Sequence, residues 1–415
     1  MRFVLASYGS RGDVEPCAAV GRELLRRGHE VRVAVAPDLV GFAESTGLAA
    51  VPYGLETRRW VDGQRDFETS LFRHFWKIRE LIKSGRKSWE LFTQSWEDIS
   101  ATLMSLSEGA DLLFTGVPFE GSAVNVAEYY DIPLATMHTC PTRPYGQAVG
   151  RIAGTVVEWL VWLLWKKFED AQRRELCLPK AKSPWQRRIA QRGSLEIQAY
   201  DEVWFPGLAA QWAKWNGRRP LVGALTMEVP TNADEEVASW IATGTPPIYF
   251  GFGSIPVESP ADTLAMIGAA CAQLGERALV CSAESDFSDV PRFEHVKVVG
   301  AVNHAAIFPA CRAVVHHGGA GTTAAGLRAG VPTLILWMLA DQPRWAARVR
   351  RLKVGSGRRL SAATTESLVA DLRTILTPEY VARAREIATR MTKPAESVAA
   401  AADLLEDFAR QRRVG

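Results

Sequence analysis

The chain has 415 residues, of which 47% are hydrophobic and 23% charged, and a formal net charge of +3. That length fills two or three domains with ample core, and the balance is a soluble globular protein's. The small charge gives no argument for nucleic acid, no apolar run reaches the roughly 18 residues of a membrane span, and six scattered cysteines (Cys17, Cys140, Cys177, Cys271, Cys281, Cys311) without a Cys-x-x-Cys pair read as reduced core residues of a cytoplasmic protein.

Met1 to Tyr8 is too short an apolar run for a signal peptide and reads as a first strand, Phe3 to Ser7. The loop Gly9-Ser10-Arg11-Gly12-Asp13 follows, then an amphipathic helix from Val14 to Arg27 stopped by Gly28, then a strand from His29 to Ala36. This is one β-α-β unit. Its loop lacks the Gly-x-Gly-x-x-Gly spacing of a dinucleotide site. Asp13 stands at the carboxyl end of the first strand, where two readings compete: a cap for the helix that follows, or a catalytic carboxylate in a cleft. Arg58 to Gly109 is long, helical and irregular, with Trp60, Trp76, Trp89 and Trp96. Strands from Asp111 to Gly116 and Pro133 to His138 flank a helix around Ala123 to Tyr130. His138 ends its strand; a hydrogen-bonded structural histidine is the favoured reading, an acid/base or orienting role the lesser one.

Val156 to Trp165, which includes Trp159, is apolar nearly all round a helix. Lys166, Lys167, Arg173, Arg174, Lys180, Lys182, Arg187, Arg188 and Arg192 follow. Three readings stay open: a core helix with a solvated charged face, a membrane-surface segment, or a wall of a hydrophobic acceptor pocket. Val203 to Pro206 reads as the last strand of the first domain and Pro206 to Pro220 as a linker.

The β-α alternation then restarts. Strands are expected from Pro247 to Phe252, ending in Gly253-Ser254, and at Ala278 to Ser282, Val296 to Val302 and Pro332 to Met338, with a helix from Ala261 to Leu274 and a short one near Ala305 to Phe308. Helices from Trp345 to Leu352, Glu366 to Leu376, Tyr380 to Met391 and Glu396 to Arg410 complete the chain. The organising stretch is Val314-Val315-His316-His317-Gly318-Gly319-Ala320-Gly321-Thr322-Thr323: a buried strand, a tight turn and a helix start. Unpaired N–H groups, the positive helix end, two hydroxyls and an imidazole suit a diphosphate. Asp341-Gln342 after the next strand adds a carboxylate–amide pair able to bind hydroxyls. Parallel sheets place ligands at these strand ends.

These residues resemble the family 1 glycosyltransferases of GT-B fold, and the resemblance covers essentially the whole chain. It lies nearest the bacterial branch that includes sterol and glycopeptide-antibiotic glycosyltransferases. Gly9-Ser10-Arg11-Gly12-Asp13-Val14-Glu15-Pro16 looks like that branch's N-terminal signature. Val315 to Thr323, Ala329-Gly330-Val331-Pro332 and Ala340-Asp341-Gln342-Pro343 look like its donor-binding signature. The opening segment and Leu336 to Gln342 look most like mycobacterial members acting on glycopeptidolipids and related cell-envelope lipids.

The resemblance implies an α/β, two-domain architecture. A Rossmann-like acceptor domain (1–215) faces a Rossmann-like nucleotide-sugar domain (216–395) across a cleft, and a C-terminal helix (396–415) returns to the first. It implies Asp13 as the general base. Ser254, His316, Gly318, Gly319, Ala320, Gly321, Thr322 and Thr323 would hold the donor diphosphate, with Ser10 and Gly12 beside it. Val302 would lie near the nucleotide base, and Asp341, Gln342 and Trp337 near the sugar. His138, Trp76 and Trp159 are candidates for the acceptor side. Trp337-Met338 stands where many relatives carry proline, an apolar wall suited to a 6-deoxyhexose such as rhamnose. No Asp-x-Asp occurs, so no metal or other cofactor is expected. A single base suits inverting displacement. The expected partners are a UDP- or dTDP-sugar and a hydrophobic lipid or lipopeptide acceptor, with peripheral contact to the inner face of the plasma membrane and no nucleic acid. Two competitors share the phosphate turn: a GT-B-fold sugar-nucleotide 2-epimerase, against which the Trp-rich first half argues, and a non-catalytic nucleotide-sugar-binding homologue. A nicotinamide oxidoreductase is more distant.

Overall fold

The computed structural model describes residues 1–57, 95–253, 257, 259–282, 293–338 and 341–413. The chain divides into two compact units: Met1–Ala199 with Gly207–Leu225 and Ala395–Gly415, and Tyr200–Pro206 with Thr226–Pro394.

The first unit is a parallel six-stranded sheet in the order β3-β2-β1-β4-β5-β6. Its strands are β1 (Arg2–Ser7), β2 (Glu30–Val35), β3 (Ala50–Pro52), β4 (Leu112–Gly116), β5 (Leu134–His138) and β6 (Leu195–Gln198). Helices cover both faces, so β4, β5 and β6 are buried at every position; β4 opens with a continuous apolar run, whereas β6, Leu-Glu-Ile-Gln, alternates and buries its polar residues too. The helices are α1 (Arg11–Arg26), α2 (Val40–Ser45), α3 (Glu120–Tyr129), α4 (Ala148–Glu175) and α5 (Trp185–Gln191). Val4, Ala6, Tyr8, Leu113, Val124 and Ile189 belong to one core cluster.

Several expectations change here. α1 begins three residues early, at Arg11, so most of the first loop is its opening turn. The last strand is Leu195–Gln198, not Val203 to Pro206, where Glu202–Trp204 forms a 3₁₀ turn. The expected linker holds a short helix, Leu208–Trp212, inside the first unit. The Val156 to Trp165 run lies within a 28-residue helix whose apolar positions are largely exposed, so it is not a core helix. By length and composition that helix is long and apolar enough to cross a membrane. Five cysteines are buried as expected; Cys177 is exposed.

The second unit repeats the topology, β12-β11-β10-β7-β8-β9, again all parallel. Its strands are β7 (Ile248–Gly251), β8 (Ala278–Cys281), β9 (Val296–Val299), β10 (Ala313–His316), β11 (Thr333–Trp337) and β12 (Gly355–Arg359), the last not anticipated from the sequence. The helices are α6 (Asp234–Ala242), α7 (Pro260–Leu274), α8 (His304–Ile307), α9 (Ala320–Arg328), α10 (Gln342–Arg351), α11 (Thr365–Ile375) and α12 (Pro378–Ala388). The C-terminal helix α13 (Pro394–Arg413) packs back on the first unit. There Arg27 meets Asp403 at 2.6 Å and His29 meets Glu406 at 2.8 Å.

Candidate active site

In each sheet the strand order reverses beside the unit's first strand: β1 lies between β2 and β4, and β7 between β8 and β10. Loops at the carboxyl ends of these strands are where an open parallel sheet binds ligands. The loops in question are Gly9–Ser10 after β1, Phe252–Gly253 after β7 and His317–Gly319 after β10.

The β10 loop is built so that only small residues fit. Gly318 has φ +100°, and an added Cβ would lie 2.8 Å from Ile335 Cγ2 and 3.1 Å from Gln342 Cβ. Gly319 is the N-cap of α9, and a Cβ there would meet His317 Nε2 at 2.6 Å. A Cβ on Gly253 would meet the same ring at His317 Cε1, 2.5 Å away. The imidazole of His317 is thus wedged between two glycines. Beyond it the first turn of α9 presents N–H groups with no intrahelical partner and the positive end of a nine-residue helix.

His316 closes β10 and is fully buried. Its Nδ1 accepts the Gly318 N–H at 3.0 Å. Burial first, then His317 and His304, hold its pKa well below the usual 6.5, so the ring is neutral. A neutral ring that accepts at Nδ1 carries its proton on Nε2. That nitrogen is buried and has no hydrogen-bond partner among the described residues. Burial pushes His317 down to about 4, with the Gly251 backbone pulling the other way, and its Nδ1 is likewise buried and unpartnered. Buried polar groups in native proteins are almost always paired. The orphaned Nε2–H of His316 beside a glycine turn marks a place for an acceptor-bearing ligand, while the Nδ1 of His317, whose ring donates to the Gly251 backbone, is left able only to accept. His317 is not among the residues the sequence pattern singles out, although the doubled histidine is a signal for it.

The other donor-side residues fall as follows. Thr323 is fully buried and its hydroxyl donates to the Gly319 carbonyl at 2.7 Å; it holds the turn together. Ala320, Gly321 and Thr322 form the first turn of α9, and Gly321 leaves room, its nearest neighbour to an added Cβ being Thr226 at 3.7 Å. Asp341 is the N-cap of α10, and its Oδ2 accepts the Trp345 indole N–H at 3.1 Å. Trp345 is in turn fixed edge-to-face on Trp204, ring centres 5.2 Å apart. Gln342 is buried and its Oε1 accepts the Met338 N–H at 2.8 Å, tying the end of β11 to the start of α10. Trp337 closes β11, half-buried, with the Arg359 guanidinium 5.8 Å from its ring centre. Val302 follows β9 with its side chain in the core beside Ile307 and Phe308. Ser254 lies outside the described residues.

In the first unit, Ser10 is the N-cap of α1 and Gly12 an exposed residue of its first turn. Asp13 occupies the third helical position, half-buried, and its Oδ2 accepts from Ser10 N at 2.8 Å and Ser10 Oγ at 3.1 Å. With the Ser10 side chain at the Asp13 backbone N–H, that is a capping box. The loop is braced from outside: Ser7 Oγ donates to the Asp13 carbonyl at 2.8 Å and Thr57 Oγ1 to the Gly9 carbonyl at 2.8 Å. Gly9 has φ +130°, and a Cβ there would sit 2.3 Å from Asp13 Oδ2. The carboxylate therefore packs against a bare backbone.

His138 is fully buried and bonded on both ring nitrogens, Nδ1 to Thr142 Oγ1 at 2.6 Å and Nε2 to Thr136 Oγ1 at 3.0 Å, with Glu120 Oε1 at 3.1 Å. It belongs to a buried ionic network: Arg143 pairs with Glu120 through two 3.0 Å bonds and with Glu196 at 2.5 Å, and Arg219 reaches Glu196 at 2.8 Å. Burial alone would raise both carboxylates; Arg143 overcomes it, aided by His138 at Glu120 and by Arg219 at Glu196, and both are held below the usual range. Nothing in the sequence pattern announced this network, because its members are spread from 120 to 219. Trp159 lies on α4, half-buried, edge-to-face with Trp162 at 5.2 Å. Trp76 lies outside the described residues.

Two doubly wound sheets of identical order, one carrying a glycine turn at its switch point, define a two-domain Rossmann-like fold of the GT-B class. Residues 3–141 match the glycosyltransferase family 28 N-terminal domain, and residues 250–405 the erythromycin biosynthesis protein CIII-like C-terminal domain. The chain is 60% identical, over the full length of both, to an uncharacterized glycosyltransferase of Mycobacterium tuberculosis. It is 29% identical to a sterol 3-beta-glucosyltransferase of Arabidopsis thaliana, over 86% of this chain and 57% of that one. Among solved structures, the glycotransferase of kitacinnamycin aligns over 98% of both chains with TM-score 0.71 and 18% identity. Glycosyltransferase VinC, solved in complex with dTDP, aligns over 99% of this chain and 100% of its own with TM-score 0.64 and 18% identity. The chain belongs to the family 28 and EryCIII-like glycosyltransferases of GT-B fold, and it is an enzyme of that kind.

Proposed function

We propose that this glycosyltransferase takes a sugar from a UDP- or dTDP-sugar and transfers it, with inversion and without a metal, to a hydroxyl of a hydrophobic lipid or lipopeptide acceptor. The observation that carries the donor half is the buried, unpartnered Nε2 of neutral His316 at a glycine turn opening α9. A diphosphate oxygen supplies the missing acceptor, and the α9 N-terminus stabilises the leaving group. Two relatives of the same fold, VinC and SsfS6, were solved with thymidine diphosphate, which favours trying that nucleotide first. The absence of any Asp-x-Asp supports a donor site that works through dipole and donors alone. Asp13 is assigned as general base, worth on the order of 10²–10⁴-fold. Ser254, Thr322 and the Gly319–Gly321 backbone complete the diphosphate set, Asp341 and Gln342 bind sugar hydroxyls, and Val302 offers its backbone to the base.

Trp337 with Met338 forms an apolar wall that supports a 6-deoxyhexose donor. The exposed apolar residues of α4 support a greasy acceptor of the glycopeptidolipid type and work at the inner face of the plasma membrane. The decisive experiment is calorimetric titration of the purified protein with UDP and with dTDP in EDTA. Binding of either is the expected result; silence from both would remove the donor site as read here. Comparison of dTDP-rhamnose with UDP-glucose, in wild type and Trp337→Ala, tests the sugar: strong wild-type preference for glucose would sink the 6-deoxyhexose assignment.

A further inference from the structure

Among the described residues, the exposed large apolar side chains gather on α4. Val149, Ile152, Val156, Leu160 and Leu163 recur three or four residues apart, with Val157 and Leu164 beside them, and all are more than half exposed, Val149 at 80%. That spacing puts them on one side of the helix. The stripe runs 15 residues, about 22 Å at 1.5 Å per residue. Soluble surfaces rarely leave so continuous a patch uncovered.

The opposite side is fastened. Trp162 donates to Glu169 at 2.6 Å; Gln172 bonds Asn125 and Ser122 at 2.8 Å each; Arg173 grips Glu128 at 2.8 and 2.9 Å. The Trp162 bond is internal to α4, but Glu169 also pairs with Arg188 of α5 and the Gln172 and Arg173 contacts join α4 to α3, so the helix lies on its unit rather than crossing a bilayer, despite its length and composition. Charge completes the pattern. Lys167 and Arg174 continue the exposed side beyond Leu163, Arg187 stands over the Trp159 ring at 5.5 Å and Lys166 over the Trp162 ring at 4.6 Å. Glu175, at the far end, is the one exposed acid of the helix. An apolar stripe edged by tryptophan and followed by basic groups matches the boundary between acyl chains and anionic headgroups.

We propose that α4 docks this enzyme on an anionic lipid bilayer, the Val149–Leu164 stripe entering the headgroup–acyl boundary and Lys167, Arg174 and Arg187 meeting the phosphates. The proposal rests on the reading of a lipid-bearing acceptor for its purpose, since a docked enzyme meets such an acceptor at its own surface. It is tested without donor or acceptor, by flotation of the full chain with vesicles of phosphatidylcholine alone or mixed with phosphatidylglycerol.

Wild type is expected to float with the mixed vesicles and weakly with the neutral ones. Leu160→Gln/Leu163→Gln/Leu164→Gln should bind roughly a hundredfold more weakly or worse. Lys167→Glu/Arg174→Glu/Arg187→Glu should lose its preference for the anionic vesicles. All six positions have exposed side chains, and a thermal melt with a UDP or dTDP titration confirms that each variant is folded. Wild type that does not float, or floats as well after the triple leucine change, overturns the docking role. So does a concentration-dependent dimer, without flotation, that the leucine changes dissociate. Failure of nucleotide binding with flotation intact would instead strike the donor site and leave docking standing.

Discussion

His316 has two separable jobs, and two substitutions divide them. Its Nδ1 accepts the Gly318 N–H at 3.0 Å and so shapes the turn; its Nε2–H, buried without a partner, is assigned to the diphosphate. In His316→Asn the side-chain oxygen can stand in for Nδ1, while nothing reaches the place of Nε2. In His316→Gln the longer amide can reach the Nε2 position and the Gly318 N–H loses its acceptor. A hydrogen bond to a charged group is worth about 1.5–3 kcal/mol, so His316→Asn should weaken UDP or dTDP binding roughly tenfold to 150-fold with little change in melting. His316→Gln should leave a buried N–H unpaired, at a stability cost of about 1–3 kcal/mol, and keep more of the affinity. Calorimetric titration and urea unfolding of the three proteins read both quantities. Nucleotide binding by His316→Asn as tight as wild type would refute the assignment of Nε2.

The same histidines make stability depend on pH. Unfolded imidazoles titrate near 6.5, whereas His316 is held well below that and His317 at about 4, so the unfolded chain takes up protons first as pH falls. Their contribution is complete above about 6.5 and drains toward 4, by at most about 3 kcal/mol for His317; urea midpoints across that range should fall less steeply in His317→Asn, and an unchanged slope would contradict this. Arg143→Leu leaves buried Glu120 with His138 alone and buried Glu196 with Arg219 alone, and should cost about 3–5 kcal/mol in urea unfolding; a loss under about 1 kcal/mol would show the network relaxes at little expense. Trp345→Phe keeps the aromatic contact with Trp204 and removes the donor to Asp341. The donor-sugar KM should rise about fivefold while affinity for the bare nucleotide stays put, and a fall in both would make Trp345 merely structural. Asp13→Asn can still accept the Ser10 N–H, so it should fold and bind nucleotide normally while transfer drops by about 10²–10⁴-fold. Asp13→Ala should lose the cap as well, about 0.5–2 kcal/mol. Normal transfer by Asp13→Asn would leave the residue a cap and nothing more.

Strands whose burial on both faces gives an uninterrupted apolar run were the easiest elements to read: Val314-Val315 and Leu334-Ile335-Leu336 are plain in the sequence. β12 was invisible for the opposite reason. Its sequence is Gly-Ser-Gly-Arg-Arg, and it exists because β11 needs a partner on its outer edge and small residues fit there. A Cβ on Gly355 would lie 1.8 Å from the Thr333 carbonyl oxygen, so the glycine is set by the neighbouring strand, not by local preference. α4 misled for a related reason: hydrophobicity all round a helix states that it meets something apolar and does not say whether that is the protein's own core.

The two loops at the switch points show why one site was legible and the other ambiguous. After β10, three consecutive constraints fall on adjacent residues: a positive φ at Gly318, a ring against Gly319, and an open first helical turn. Each demands a small residue, so the glycine cluster is itself the trace of a ligand-sized space. After β1, the constraint on Gly9 comes from a carboxylate four residues on, and Asp13 is fixed by hydrogen bonds that any helix start could use. A cap and a catalytic base make the same demand on the sequence, an aspartate near a helix N-terminus. They differ only in what the carboxylate meets when an acceptor hydroxyl arrives, which no local pattern encodes.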